Sequence, residues 1–246
     1  MFLLVFVWQL VLQQVSNFPM PVTLSVQAVL VFVAFLGGAF WTVNRTGNRL
    51  LEAIRLDTVS PLLCLLAAVG VIFAGALGDE VASLLHQWKP DFFSIGAMGD
   101  ISDAIAAATP AGFVAITIAL SLLPAISEEV MFRGVVLQSF RRDMPAHFAV
   151  IYSAILFGLV HFSWLQGMSA GLLGCYLGAL VLITGSIVPA MLAHLVNNLL
   201  WCVLSRYEPG FMDDVLQNGH SPALLGGCLV VVTAVLLAMV KLRKRD

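Results

Sequence analysis

The chain is dominated by long apolar stretches, each of a length that suits a membrane-spanning helix. About 20 apolar residues are needed for a helix to cross a hydrocarbon core of about 30 Å. Of the 246 residues only 11% are charged, whereas soluble domains have about 25%. We therefore predict an all-α fold, a polytopic transmembrane helix bundle that forms one membrane-embedded domain over residues 1–246. The predicted spans are roughly 22–42, 59–78, 108–127 (continuing into the next helix), 146–164, 167–184, 186–205 and 221–241.

The apolar segment 2–15 is short for a span and is followed by Pro19 and Pro21. It is predicted to be either an eighth span or a helix in the membrane interface. No Lys or Arg precedes it and no small-residue cleavage site follows, so we do not expect a removable signal peptide.

The charges between the spans predict the orientation of the bundle. The loop 43–58 and the turn near 141–145 are basic, as is the C-terminal tail. The long loops 79–107 and 206–220 are mainly acidic, and 79–107 also has apolar residues suited to a surface cap or a lid. Cytoplasmic loops carry the excess of Lys and Arg, so one alternation of spans fits every loop. The prediction is a multi-pass protein of the cell (inner) membrane with about eight helices and both termini cytoplasmic. The basic residues used are Arg45, Arg49, Arg55, Arg141, Arg142, Lys241, Arg243, Lys244 and Arg245.

Three charged residues lie within a predicted span: Glu128, Glu129 and Arg133. Ionisable groups at this depth are costly and usually functional. Glu129 and Arg133 are spaced i and i+4, which predicts an ion pair on one helix face. Glu128 lies about 100° around the helix and is free to face another group. Pro124 and Ser127 just before them predict a kink, a break or a new helix start.

Two histidines are predicted to lie at depths that overlap with the glutamates. His161 follows a turn near Pro145 by about as many residues as separate Glu128 from that turn, and His194 lies about eight residues into its own span. Asn198 is spaced i+4 from His194, so both side chains can point into one cavity. A purely structural ion-pair cluster remains an alternative explanation of the set.

These residue types suit hydrolysis of a peptide bond. A Glu and a His can share the deprotonation of a water and the protonation of a leaving group. A second His with an Asn can donate hydrogen bonds to an oxyanion. Serine chemistry is not favoured, because no GxSxG sequence occurs. Two His and a Glu could also bind zinc, but HExxH is absent, so we expect no cofactor.

Other features are predicted to be structural. The cysteines Cys64, Cys175, Cys202 and Cys228 lie in apolar runs and are expected to be buried thiols rather than disulfides. The glycines Gly167, Gly171, Gly174 and Gly178 form a small-residue stripe, which predicts close helix packing. No basic patch suggests a nucleic-acid partner.

The three sequence segments Glu128-Glu129-x-x-x-Arg133, Phe157-x-x-x-His161 and His194-x-x-x-Asn198 resemble the CPBP family. This is the CAAX protease and bacteriocin-processing (Abi) family of glutamic intramembrane endopeptidases. The resemblance covers about 120–205 within a predicted catalytic core of about 108–205. It implies an eight-helix bundle, which favours counting 2–15 as a span.

The resemblance also implies the roles of the residues. Glu128 would activate water with help from His161, while His194 and Asn198 would form the oxyanion hole. Glu129 and Arg133 would support the site. The expected partners are the lipid bilayer and a membrane-associated or lipid-modified protein or peptide, with nothing that indicates a prenyl group specifically.

Two other classes of function use the same residues. Buried Glu and His also form proton relays, so a proton-coupled transporter is an alternative, although no internal repeat is evident. A non-catalytic membrane scaffold or immunity protein would keep the cluster for packing alone.

Overall fold

The computed structural model describes residues 18–45, 54–218 and 221–244. Within these ranges the chain forms helices and no β-strand. The helices are α1 (Met20–Arg45), α2 (Pro61–Trp88), α3 (Ala97–Ala107), α4 (Pro110–Asp143), α5 (Ala146–Leu159), α6 (Trp164–Thr184), α7 (Val188–Tyr207), α8 (Phe211–Asn218) and α9 (Pro222–Arg243). The prediction of an all-α fold is confirmed.

Six helices of the described part are long and apolar enough to cross a membrane, namely α1, α2, α4, α6, α7 and α9. The chain is therefore a multi-pass membrane protein. The predicted number of about eight spans is approximate, and six of the described helices meet the length and hydropathy of a span. The possible span 2–15 lies outside the described residues, as do Arg49 and Arg245.

Helix α2 is longer than the predicted span 59–78 and runs to Trp88, so residues 79–88 are not a loop. Glu80 is thereby buried inside the bundle, which adds a charged residue to the three predicted there. Its Oε2 accepts a hydrogen bond of 2.7 Å from the backbone N–H of Ser221, the residue that begins α9. A helix N-terminus has N–H groups without helical partners and a positive dipole end, which stabilise a buried carboxylate.

Helix α4 corrects the prediction of a helix start at Ser127. The helix runs without interruption from Pro110 to Asp143 and contains two π-helical segments, Ile118–Leu122 and Val130–Val136. Pro124 has no N–H to donate to the preceding turn, and the wider π-helical turn just before it lets the helix continue past the proline. The Ser127 hydroxyl instead donates to the carbonyl of Leu123 at 2.9 Å, within the helix.

Helix α5 ends at Leu159 and not near 164 as predicted. Its 14 residues span about 21 Å, which is less than a hydrocarbon core of about 30 Å. A tight turn follows, in which Phe162 has a φ of 54°, and Ser163 caps the start of α6 by accepting from Gln166 N. His161 therefore lies in the α5–α6 turn rather than in a helix.

The glycine stripe of α6 packs against α5, as predicted. A Cβ on Gly158 would lie 2.4 Å from the carbonyl oxygen of Gly167, and a Cβ on Gly178 would lie 2.9 Å from Val150 Cγ1. Only glycine permits these two helices to approach so closely. The close approach fixes the position of α5 and of the turn that carries His161.

At the end of the bundle where α5 meets α6, the short helix α8 packs against α2, whereas α3 packs mainly against α7. Ser83 and Gln87 donate to the carbonyl of Leu216 in α8 at 3.1 and 3.3 Å. Phe92 stacks on Trp164 with 5.4 Å between the ring centroids. The exposed fractions of Phe92 and Trp164 are 50% and 57%. Aromatic side chains of this kind are enriched where a protein crosses the membrane surface.

Candidate active site

Glu129 is the centre of a buried polar cluster between α4 and α7. Its Oε1 accepts hydrogen bonds from Arg133 Nη1 at 2.7 Å and from His194 Nδ1 at 2.8 Å. The exposed fractions of Glu129, Arg133 and His194 are 0%, 1% and 3%. The i,i+4 ion pair predicted from the sequence is present, and it also holds a histidine from another helix.

Arg133 reaches across to α6 and α5. Its Nη2 donates to the carbonyl of Gly174 at 3.2 Å, and its Cζ lies 4.4 Å from the centroid of the Phe157 ring. A Cβ on Gly174 would lie 3.2 Å from Nη2 and 3.1 Å from Ala154 Cβ. Gly174 therefore makes room for the guanidinium as well as for α5. This second role was not predicted, because the stripe was interpreted as packing alone.

Glu128 is the member of the cluster that retains an accessible surface, with 12% of its side chain exposed. Its Oε2 lies 3.9 Å from His194 Nε2. Glu128 makes no hydrogen bond to a protein group that would fix its carboxylate within the described residues. The two adjacent glutamates thus differ in environment, since Glu129 is buried and bonded through Oε1 to two partners, while Glu128 keeps some exposed surface.

The two histidines both contact the phenyl ring of Phe157. Phe157 packs edge-to-face with His161 at 5.1 Å and with His194 at 5.8 Å between ring centroids. His161 Nδ1 lies 2.8 Å from the carbonyl oxygen of Phe157. A carbonyl can only accept, so Nδ1 carries the hydrogen and Nε2 of a neutral ring has a free lone pair. Among the described residues His161 forms no ion pair with a carboxylate, whereas His194 approaches both glutamates.

Asn198 is bonded to the irregular part of α4. Its Nδ2 donates to the carbonyl of Leu120 at 3.0 Å, and its Oδ1 accepts from Asn197 Nδ2 at 3.2 Å. Leu120 precedes Pro124 by four residues, so its carbonyl lacks the usual helical donor. Asn198 supplies that donor and keeps one amide N–H for another acceptor. The sequence does not predict this contact, because it depends on α4 and α7 being neighbours.

The described ranges contain no group of three or more His, Cys, Asp or Glu residues arranged to hold a metal ion. The four cysteines are free thiols, of which Cys202 and Cys228 are buried.

One segment of the chain matches a known protein family. Residues 110–200 match the family model described as type II CAAX prenyl endopeptidase Rce1-like, a part of the CPBP family. The matched segment includes all six polar residues of the predicted site, so the resemblance inferred from the three sequence segments is confirmed. No curated protein and no solved structure was found to match the chain. The matched residues run from the start of α4 to Leu200 in α7 and contain the whole polar cluster.

Proposed function

We propose that this protein is an intramembrane endopeptidase that cleaves a membrane-associated or lipid-modified protein with water activated by Glu128. The observation that supports this most is the contrast between the two glutamates. Glu129 is fully buried and bonded to Arg133 and His194, while Glu128 is partly exposed beside His194. A general base has to reach a water and the substrate, and Glu128 is the carboxylate that can do so.

The proposed reaction proceeds without a covalent intermediate. Glu128 takes a proton from water, and the oxygen adds to the carbonyl carbon of the scissile peptide bond. Glu128 then returns the proton to the amide nitrogen, the C–N bond breaks, and the products are a carboxylate and an amine. His161 is proposed to assist by accepting a hydrogen bond from the water at Nε2, which its contact with Phe157 leaves free.

His194 and Asn198 are proposed to stabilise the oxyanion. The carboxylate of Glu129 orients the His194 ring by accepting from Nδ1, so Nε2 points toward the Glu128 side of the cluster. Since Nδ1 already donates to Glu129, donation from Nε2 as well uses the doubly protonated ring. It could then donate from Nε2 to the oxyanion, next to the remaining N–H of Asn198.

Glu129 and Arg133 are proposed to be positioning residues. Both are buried, and Arg133 is held by Gly174 and Phe157 in addition to its carboxylate partner. Such partners hold a catalytic ring in one orientation, which lowers the cost of reaching the reactive geometry.

The orientation of the bundle is proposed from the basic residues. Arg45, Arg141 and Arg142 end α1 and α4, while Lys241 and Arg243 end α9. Basic residues at the ends of spans mark the cytoplasmic side. The turn between α6 and α7 lies at the same end, since Ile187 N donates to the carbonyl of Arg55 at 3.1 Å.

The decisive experiment uses purified protein in liposomes with two peptides of one sequence, one farnesylated near its C-terminus and one without a lipid. We expect cleavage by the wild type and a loss of about 10²- to 10⁴-fold in Glu128→Gln. Glu208→Gln is the matched control, because Glu208 is exposed and lies beyond the end of α7. Equal cleavage by Glu128→Gln and the wild type would refute the proposal, and the two peptides show whether a prenyl group is required.

A further inference from the structure

Asn197 is a polar residue at a position of α7 that faces the core. It follows Ala190 and Ala193 by seven and four residues, and both alanines are 0% exposed within the main hydrophobic cluster. Residues with this spacing lie on one face of a helix. An amide on such a face gives up bonds to water and needs partners within the protein. The mechanism proposed above does not use Asn197, so its partners indicate what it does.

The partner of Asn197 is the neighbouring amide of the candidate site. Asn197 Nδ2 donates to Asn198 Oδ1 at 3.2 Å, while Asn198 Nδ2 donates to the carbonyl of Leu120 at 3.0 Å. A carbonyl oxygen can only accept, so the Leu120 bond requires the nitrogen of Asn198 to face α4. The bond from Asn197 holds the oxygen of the same amide. The two bonds together fix both branches of the Asn198 amide, and with them the direction of its second N–H.

Gly75 of α2 provides the space that the Asn197 amide occupies. A Cβ at Gly75 would lie 2.6 Å from Asn197 Oδ1 and 3.8 Å from Asn197 Cγ. Beyond the adjacent part of α2, these are the only described atoms within 4 Å of that Cβ. A methyl carbon and an oxygen do not approach to 2.6 Å, so any side chain at residue 75 has to displace the amide. Glycine at this position lets Asn197 lie against α2 and still reach Asn198.

We propose that Asn197 is a positioning residue for the oxyanion donor Asn198, and that Gly75 serves the same arrangement through the space it leaves. This inference rests on the proposed function, in which Asn198 donates its second N–H to the oxyanion. The bond from Asn197 keeps the Asn198 amide from rotating away from the site. It also polarises that amide, because donation to the oxygen makes the N–H groups better donors. Asn197 does not touch the substrate, and all of its effect passes through Asn198.

The kinetic test is a double-mutant cycle with purified protein in the liposomes and with the peptides described above. Asn197→Ala should lower kcat by about 10-fold, near the upper value for one hydrogen bond, with KM unchanged. In Asn198→Ala the further change Asn197→Ala should alter kcat by less than about 2-fold, because the group that it positions is gone. Equal losses in the two backgrounds would overturn the proposal, and so would a rise in KM at unchanged kcat.

Gly75→Ala perturbs the same amide without removing a polar group. In the wild type the added methyl should displace Asn197 and lower kcat by about 10-fold, the loss expected for the same hydrogen bond. In Asn197→Ala the methyl no longer meets the amide, so Gly75→Ala should change kcat by less than about 2-fold. Gly37→Ala is the matched control in another spanning helix, because a Cβ there meets nothing within 4 Å, and it should leave kcat unchanged. A loss in Gly75→Ala that persists in Asn197→Ala would contradict the role given to Gly75.

Thermal unfolding tests the contact between Gly75 and Asn197 without any cleavage, so the two proposals fail separately. Alanine is a better helix former than glycine, so Gly75→Ala should raise the Tm in Asn197→Ala, and its shift should be less positive or negative in the wild type. Equal shifts would remove the contact. If no peptide is cleaved, the positioning role is lost together with the proposed function. Cleavage that depends on Glu128, with independent losses for Asn197 and Asn198, would keep the proposed function and remove the positioning role alone.

Discussion

His194 Nδ1 donates a hydrogen bond of 2.8 Å to Glu129 Oε1, and this bond joins α7 to α4 at the most deeply buried point of the site. The same carboxylate oxygen accepts from Arg133. One atom therefore sets the position of a cation and of an imidazole that belong to different helices. The adjacent Glu128 is left outside this network, with its Oε2 3.9 Å from the other nitrogen of the same ring.

The two glutamates should differ in their effects on stability. Glu129→Ala leaves Arg133 buried without its carboxylate, which costs about 3–5 kcal/mol in buried ion pairs. Glu128→Ala removes a partly exposed group that makes no such bond and should change the Tm little. Thermal unfolding of both variants in detergent, alongside cleavage assays, checks this. Similar Tm values for the two variants would show that Glu129 is not a positioning residue of the kind described.

The contact between Asn198 and Leu120 separates a structural role from a catalytic role. In Pro124→Ala the carbonyl of Leu120 regains a helical N–H, so Asn198→Ala should cost about 1 kcal/mol less stability in that background than in the wild type. If Asn198 also donates to the oxyanion, Asn198→Ala should lower kcat by about 10²- to 10³-fold in both backgrounds. A double-mutant cycle with unfolding and kinetic measurements tests both statements. Full activity of Asn198→Ala with Pro124→Ala would assign Asn198 to structure alone.

Gly174 should not tolerate a side chain. A Cβ there would lie 3.2 Å from Arg133 Nη2 and 3.1 Å from Ala154 Cβ, so Gly174→Ala should destabilise the protein by about 1–3 kcal/mol. Gly226 is the control, because a Cβ there meets nothing within 4 Å. Gly226→Ala should stabilise α9 by up to about 1 kcal/mol. The two Tm shifts should therefore have opposite signs, and equal shifts would contradict the packing described here.

Metal chelation tests the expectation that the reaction needs no cofactor. Hydrolysis by a Glu-activated water should proceed at an unchanged rate after dialysis against EDTA and 1,10-phenanthroline. Loss of activity that added zinc restores would instead favour the zinc alternative, with Glu128 and His194 as the ligands to examine first. The assay uses the same liposomes and peptides as the test of Glu128.

Much of the architecture follows from the sequence because its physical cause is local. Stretches of about 20 apolar residues can cross a bilayer only as helices with internally satisfied backbones. The i,i+4 spacing of Glu129 and Arg133 permits the ion pair whatever the surrounding helices do. The ends of the helices were less predictable. Helix α2 continues through residues 79–88, which were predicted to be a loop, and the turn at Val160–Ser163 ends α5 earlier than predicted.

The tertiary structure decided which of these groups meet. The sequence determined an all-helical membrane bundle with two glutamates, an arginine and two histidines in its apolar region, and its motifs resemble a family whose model matches residues 110–200. Spacing along one helix could not show that Glu129 bonds to His194, that Gly174 accepts from Arg133, or that Asn198 serves the carbonyl freed by Pro124. Those contacts join residues that are 41 to 78 positions apart, so they depend on how α4, α6 and α7 pack and not on any local pattern.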